Sequence, residues 1–292
     1  MSDQAQNLRA MMNRHRKKNA DTRNARVVAI ASGKDGAGKS WFSVNLAAAM
    51  KKLGSRVLLI DADSGAADFN VMPGANPGRD LSGILKNVDI NDIIAEDANG
   101  VKFISGGSRI YDFIKLNPEQ LQKISGSLLR LEDSADIIIF NAAAGVSDDT
   151  IRLIKSSDET IVVSTPESAS IMDSYALIKI ICAGGGHPRV RVVMNKSENA
   201  REAAATLEKF ANVALKYIEV AVEPLGHIPF DPLAAQAAKK KVPLIDNLPK
   251  SAAAQSINAI AELYLGTIPK SDGNGGLRRF IGRFFSKEPI AE

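Results

Sequence analysis

The sequence predicts an α/β protein: one domain built on a mainly parallel, doubly wound sheet with helices on both faces. Three observations carry this. Short runs of continuous apolar residues recur along the chain and read as strands buried on both sides. Stretches with helical apolar spacing separate them. A glycine-rich turn joins the first run to the first helix. A length of 292 residues, 45% apolar and 24% charged, suits one large domain of this class. It excludes a wholly disordered chain, a collagen-like chain and a coiled-coil rod.

The elements follow in order. Val27–Ser32 is the first strand, and Lys39 to about Leu53 the first helix. Further strands are Val57–Ile60, Val101–Ile104, Ile137–Phe140, Thr160–Ser164, Val190–Met194 and, more weakly, Leu225–Ile228. Helices are expected over Pro118–Leu131, Ser168–Ile181, Arg201–Tyr217 and Ser251–Leu265. The run Ser271-Asp-Gly-Asn-Gly-Gly276 is a linker composition. There is no internal repeat. The expected organisation is a basic segment over 1–26, a central domain over 27–269, a linker over 270–276 and a final helix over 277–288.

The net charge of +4 is unevenly spread. Residues 1–26 carry +5 and residues 270–292 carry +2, which leaves −3 for 27–269. Basic ends on a mildly acidic core point to an acidic surface, either membrane or nucleic acid. The single cysteine, Cys182, excludes a disulfide scaffold and any thiolate-held zinc or iron–sulfur site within one chain. No apolar run is long enough to span a bilayer, and residues 1–26 lack a secretory apolar stretch, so a cytoplasmic location is expected.

Gly33-Lys34-Asp35-Gly36-Ala37-Gly38-Lys39-Ser40 fits G-x-x-x-x-G-K-[ST] between a strand and a helix. The glycines let backbone N–H groups close around phosphate oxygens, and the helix N-terminus adds positive charge. Lys39 is expected on the β- and γ-phosphates and Ser40 on Mg²⁺. Trp41, next in the helix, is grouped with the nucleotide-binding residues. Asp61 and Asp63 end the second strand, beside the loop, where acids would order a metal-bound water and the attacking water.

With its second lysine, Lys34, the loop resembles the deviant K-G-G-x-G-K-[ST] motif of the MinD/ParA group of P-loop ATPases. The resemblance implies ATP and Mg²⁺ as ligands and a homodimer formed with ATP, in which Lys34 reaches the partner's nucleotide. It gives Lys34, Lys39 and Asp63 the catalytic roles, Asp63 orienting water and Asp61 assisting the metal. Two departures stand out. Asp35 replaces a glycine, and its charge should weaken phosphate binding unless it points outward. In Ile137-Ile-Ile-Phe-Asn-Ala-Ala-Ala-Gly145, Asn141 stands where the family has a metal-side Asp. Asn can bond a metal-bound water but brings no charge, so hydrolysis is expected to be slow or degenerate. Gly145 is expected to offer its N–H to the γ-phosphate. By the same resemblance Asn195 contacts adenine, and the backbone of Pro229-Phe-Asp231 lines it. The guanine pattern N-K-x-D is not met, because Glu198 closes Asn195-Lys-Ser-Glu, leaving GTP as the lesser option.

The opening Asp3-Gln4-Ala5-Gln6-Asn7-Leu8-Arg9 is similar to the start of the family's flagellar branch. There it implies a helix stimulating the SRP-type GTPase FlhF, with flagellar basal-body and C-ring proteins as further partners. Asp3, Gln4, Ala5, Leu8 and Arg9 are the candidate partner contacts. At the other end Leu277, Phe280, Ile281, Phe284 and Phe285 share one helical face, with Arg278, Arg279, Arg283 and Lys287 around it. This reads as an amphipathic helix for an anionic membrane, placing the protein on the inner face of the cell membrane. The alternative is a terminal helix docked on its own core. The function expected is a nucleotide-switched regulator of flagellar number and placement. A MinD-type division-site regulator, a ParA-type DNA-partition ATPase and a pseudo-ATPase scaffold are the alternatives. DNA is not an expected partner, since the basic residues sit on the ends.

Overall fold

A computed structural model of the chain describes residues 24–63, 80–97, 99–104, 109–183, 185, 188–240, 242–268 and 275–286. Its centre is an eight-stranded sheet in the order β3-β4-β2-β5-β1-β6-β7-β8. The strands are β1 (Arg26–Ala31), β2 (Val57–Ala62), β3 (Ala95–Glu96), β4 (Lys102–Ile104), β5 (Ile137–Ala142), β6 (Glu159–Ser164), β7 (Arg189–Ser197) and β8 (Val222–Pro229). Every pairing is parallel except the short β3 against β4. Two residues carry no periodicity, which is why the sequence pattern does not contain β3.

Eight helices of eight residues or more are described: α1 (Lys39–Lys52), α2 (Pro118–Leu129), α3 (Asp148–Ser156), α4 (Ser168–Cys182), α5 (Ala200–Ile218), α6 (Pro232–Lys240), α7 (Ala252–Gly266) and α8 (Leu277–Phe284). Most start on side-chain caps. Asn117 and Gln120 form a capping box with Pro118 in the first turn of α2, while Ser147, Asn199 and Ser251 cap α3, α5 and α7. The sheet alternates between two cores. Val27, Ala29 and Ala31 face α2–α5 and α8, whereas Val28 and Ile30 face α1, α6 and α7.

α8 corrects a sequence expectation. Its apolar face does not stand free for a membrane but completes the first core. Leu277, Phe280, Ile281 and Phe284 are each at most 1% exposed, and Phe285 is buried beside them. Phe280 stacks on Phe140 of β5 with ring centres 4.6 Å apart, and Phe284 stacks on Phe280 at 5.3 Å. Two of the basic residues are turned to the chain's own acids, Arg278 to Glu132 at 2.8 Å and Arg279 to Asp158 at 2.6 Å, while Arg283 donates to the Lys155 carbonyl at 3.4 Å. Asp158 also accepts from the Val27 and Gly276 N–H groups, tying α8 to the start of β1. The physical reason is shared by every amphipathic helix: three phenylalanines need an apolar partner, and the sheet face at Phe140 supplies one. The helix ends at Phe284; residues 287 and 288 of the expected span, and the linker residues 270–274, lie outside the described residues.

Candidate nucleotide site

The loop leaves β1 at Ala31 and closes on Gly38, whose φ of 91° makes it the N-cap of α1. Having no side chain, Gly38 caps no first-turn N–H, and that turn holds no acidic residue. The positive end of α1 is therefore open to an anion. Left-handed backbone is used at Gly36 and Gly38 but not at position 35. Asp35 therefore fits without strain, and it is exposed. Gly33 is fixed by packing, because a Cβ there would lie 2.3 Å from the backbone carbon of Asp173 in α4.

Six polar side chains converge at the carboxyl ends of β2 and β5. Lys39 is buried, with Nζ 2.9 Å from Asp63 Oδ2 and 3.3 Å from Asn141 Oδ1. The Asn141 amide is used on both sides. Its oxygen also accepts from Ser43 Oγ at 3.2 Å, and its nitrogen donates to Ser40 Oγ at 3.3 Å and Asp61 Oδ1 at 3.0 Å. Asp61 is buried, and burial pushes its carboxyl up to about 7 against the Asn141 and Asp63 N–H bonds that favour the anion. Parallel pairing produces this meeting, since Asp61 lies opposite Asn141 in register.

The metal-side residues Ser40, Asp61 and Asn141 are thus together. Among the described residues no group of three His, Cys, Asp or Glu side chains could cage a metal. One hydroxyl, one buried carboxylate and one amide fit a Mg²⁺ that brings its own waters and phosphate oxygens. Two expectations change in detail. Asp63 is ion-paired with Lys39. The Gly145 N–H donates to Ser32 O at 3.0 Å instead of standing free.

At the rim, Lys34 Nζ lies 2.5 Å from Glu167 Oε2, and this bond holds the Glu167 carboxyl below the usual range. Asn195 Nδ2 donates to the Ala37 carbonyl at 2.9 Å. The Asp231 carboxylate caps two helices, accepting from Leu233 N–H at 2.9 Å and Ala253 N–H at 3.2 Å, and the Phe230 N–H donates to Ser197 O at 2.8 Å. Trp41 packs on the second core and reads as structural. Asp3, Gln4, Ala5, Leu8 and Arg9 lie outside the described residues. Sequence reasoning missed Ser43, one helical turn after Lys39 and legible as a polar residue on a buried face. It also missed Lys196, whose Nζ reaches Gly36 O at 2.7 Å.

A loop of this geometry defines P-loop proteins broadly, and sequence comparison narrows the group. The profile of ParA, described as NUBPL iron-transfer P-loop NTPase, matches residues 23–264. The chain belongs to the ParA family of P-loop NTPases. Within the ParA family it is similar to two relatives along most of its length. It is 30% identical to the antiactivator FleN of Pseudomonas aeruginosa over 88% of this chain and 92% of that one. It is 31% identical to the flagellum site-determining protein YlxH of Helicobacter pylori over 97% of this chain and 98% of that one. The fold is that of MinD: the cell-division ATPase MinD of Pyrococcus furiosus superposes with a TM-score of 0.65 at 23% identity, over 84% of this chain and all of the other. MinD of Pyrococcus horikoshii, solved with Mg-ADP, also gives 0.65, over 85% and 99%.

Proposed function

We propose that this chain is an FlhG-type regulator of flagellar number and placement: a slow ATPase that binds Mg-ATP, pairs as a homodimer and acts on the SRP-type GTPase FlhF and on basal-body proteins. The observation carrying the switch is the pair of lysines on one loop in different settings. Lys39 is buried against Asp63 and Asn141, whereas Lys34 is turned outward to Glu167. One lysine serves the chain's own phosphates, and the other is placed for a partner. The flagellar assignment rests on likeness to FleN and YlxH along most of the chain. A chain with one cysteine has no thiolate pair for the iron chemistry that the family description mentions.

In this reading a phosphate arriving at Lys39 competes with Asp63 for the same ammonium. Binding then frees the Asp63 carboxylate to orient water. Mg²⁺, when bound, supplies charge stabilisation at the phosphates. Ser40 and Asp61 hold its coordination sphere, and Asn141 orients both through its amide. The missing charge at Asn141 favours slow turnover. Its extreme form is a nucleotide-binding scaffold without hydrolysis, and turnover measurement separates the two. Membrane attachment through α8 would require the helix to leave the core, at a cost of roughly 1.5–3 kcal/mol for each large apolar side chain exposed.

The deciding experiment measures mass in solution with ADP and with ATP, together with stimulation of FlhF GTPase activity. An ATP-specific dimer and stimulated FlhF are expected. A protein that stays monomeric with ATP and leaves FlhF unchanged would sink this reading.

A further inference from the structure

β7 does not end as a regular strand. Its pairing with β8 shifts between Met194 and Ser197, and Lys196 adopts a φ of 58°, a conformation that L side chains rarely take. In a regular strand, adjacent side chains point to opposite faces. The irregularity overrides that rule and sends two neighbours to one loop. Asn195 Nδ2 donates to the Ala37 carbonyl at 2.9 Å, and Lys196 Nζ donates to the Gly36 carbonyl at 2.7 Å. The Asn195 amide oxygen accepts from the Lys196 N–H at 2.9 Å, which fixes the amide with its nitrogen toward the loop. Contact is close enough that a Cβ on Gly38 would lie 2.3 Å from Asn195 Nδ2.

These two bonds set the loop's polarity. In a trans peptide the carbonyl and the following N–H point in opposite directions, and no described peptide bond is cis. With the Gly36 and Ala37 carbonyls both turned to β7, the Ala37 and Gly38 N–H groups turn away from it together. Successive N–H groups on one side make an anion-binding nest. The left-handed glycines at 36 and 38 permit the arrangement, but a glycine-rich loop alone has many others. We propose that Lys196, beside Asn195, is a positioning residue that holds the phosphate loop in its anion-binding form, so that Lys196 governs affinity for the polyphosphate and not the identity of the base. This rests on the nucleotide-binding reading above and adds to it a role for Lys196.

Lys196→Gly and Lys196→Arg in the full chain test it. Glycine removes the donor while tolerating the left-handed backbone, so the variant should melt no lower than wild type. Titration calorimetry with Mg-ATP and with magnesium tripolyphosphate should then show both weakened by the same factor, about tenfold for a lost charge-assisted bond. Lys196→Arg, which keeps a charged donor, should restore both. The Gly36 carbonyl ¹³C resonance should shift in the ligand-free glycine variant. A loss for ATP with tripolyphosphate unchanged would place Lys196 on the base or ribose and overturn the proposal. So would an unshifted Gly36 resonance. Wild-type protein that binds neither ligand overturns the nucleotide reading itself, an outcome seen without any variant.

Discussion

At the scale of single residues, the site divides labour between side chains that look alike in sequence. Lys39 is buried in a polar cluster, and Lys34 lies at the rim. Lys39→Ala should abolish nucleotide binding, while Lys34→Ala should bind normally and fail to dimerise with ATP. A normal ATP-induced mass shift in the Lys34→Ala protein rules out the cross-dimer role. Asn141 carries a second prediction. Its amide nitrogen is 3.0 Å from the buried Asp61 carboxylate, so Asn141→Asp sets two acids side by side and replaces a bond with repulsion. The ligand-free variant should be less stable by about 1–3 kcal/mol. Mg-nucleotide should recover the loss and raise turnover, each tenfold corresponding to about 1.4 kcal/mol of barrier. Thermal melts with and without Mg-nucleotide, beside a phosphate-release assay, check both; unchanged melting and unchanged turnover together would show that the lost charge is no handicap. These residues were legible because the motif spacing names them. Lys196 was not, since its direction depends on a left-handed backbone that no sequence pattern marks.

At the scale of elements, α8 decides how the amphipathic end is understood. Periodicity identifies the apolar face correctly but says nothing about what covers it, because lipid and protein core satisfy the same hydrophobic requirement. Phe280 is wholly buried and stacked between Phe140 and Phe284. Phe280→Ala should therefore cost about 3–5 kcal/mol, and Phe284→Glu more, since it buries a charge. Urea unfolding measures both. A wild-type value for either variant would mean that α8 is off its seat in solution, and co-sedimentation with anionic vesicles would then become the relevant assay. The ion pair of Arg279 with Asp158, and the bonds that Asp158 accepts from the Val27 and Gly276 N–H groups, tie this element to the start of β1.

At the scale of the whole molecule, the sheet brings β1, β2 and β5 together at its centre, so that the loop, Asp61, Asp63 and Asn141 meet at one end. The basic segment precedes β1 in sequence, and residues 1–23 of it lie outside the described residues. Deleting residues 2–20 should leave nucleotide binding and dimerisation unchanged and remove stimulation of the SRP-type GTPase; loss of folding would show instead that the segment is structural. By itself the sequence determined the α/β class, most strands, the phosphate loop and the candidate metal-side residues. Each of these is local: an apolar run, a helical period or a fixed motif spacing carries its own physical cause. Only the tertiary structure decided that α8 packs on Phe140, that Asp63 pairs with Lys39, and that Asn195 and Lys196 grip the loop. Those contacts join residues far apart in the chain, and which partner satisfies an apolar face or a charge is settled by strand order and register.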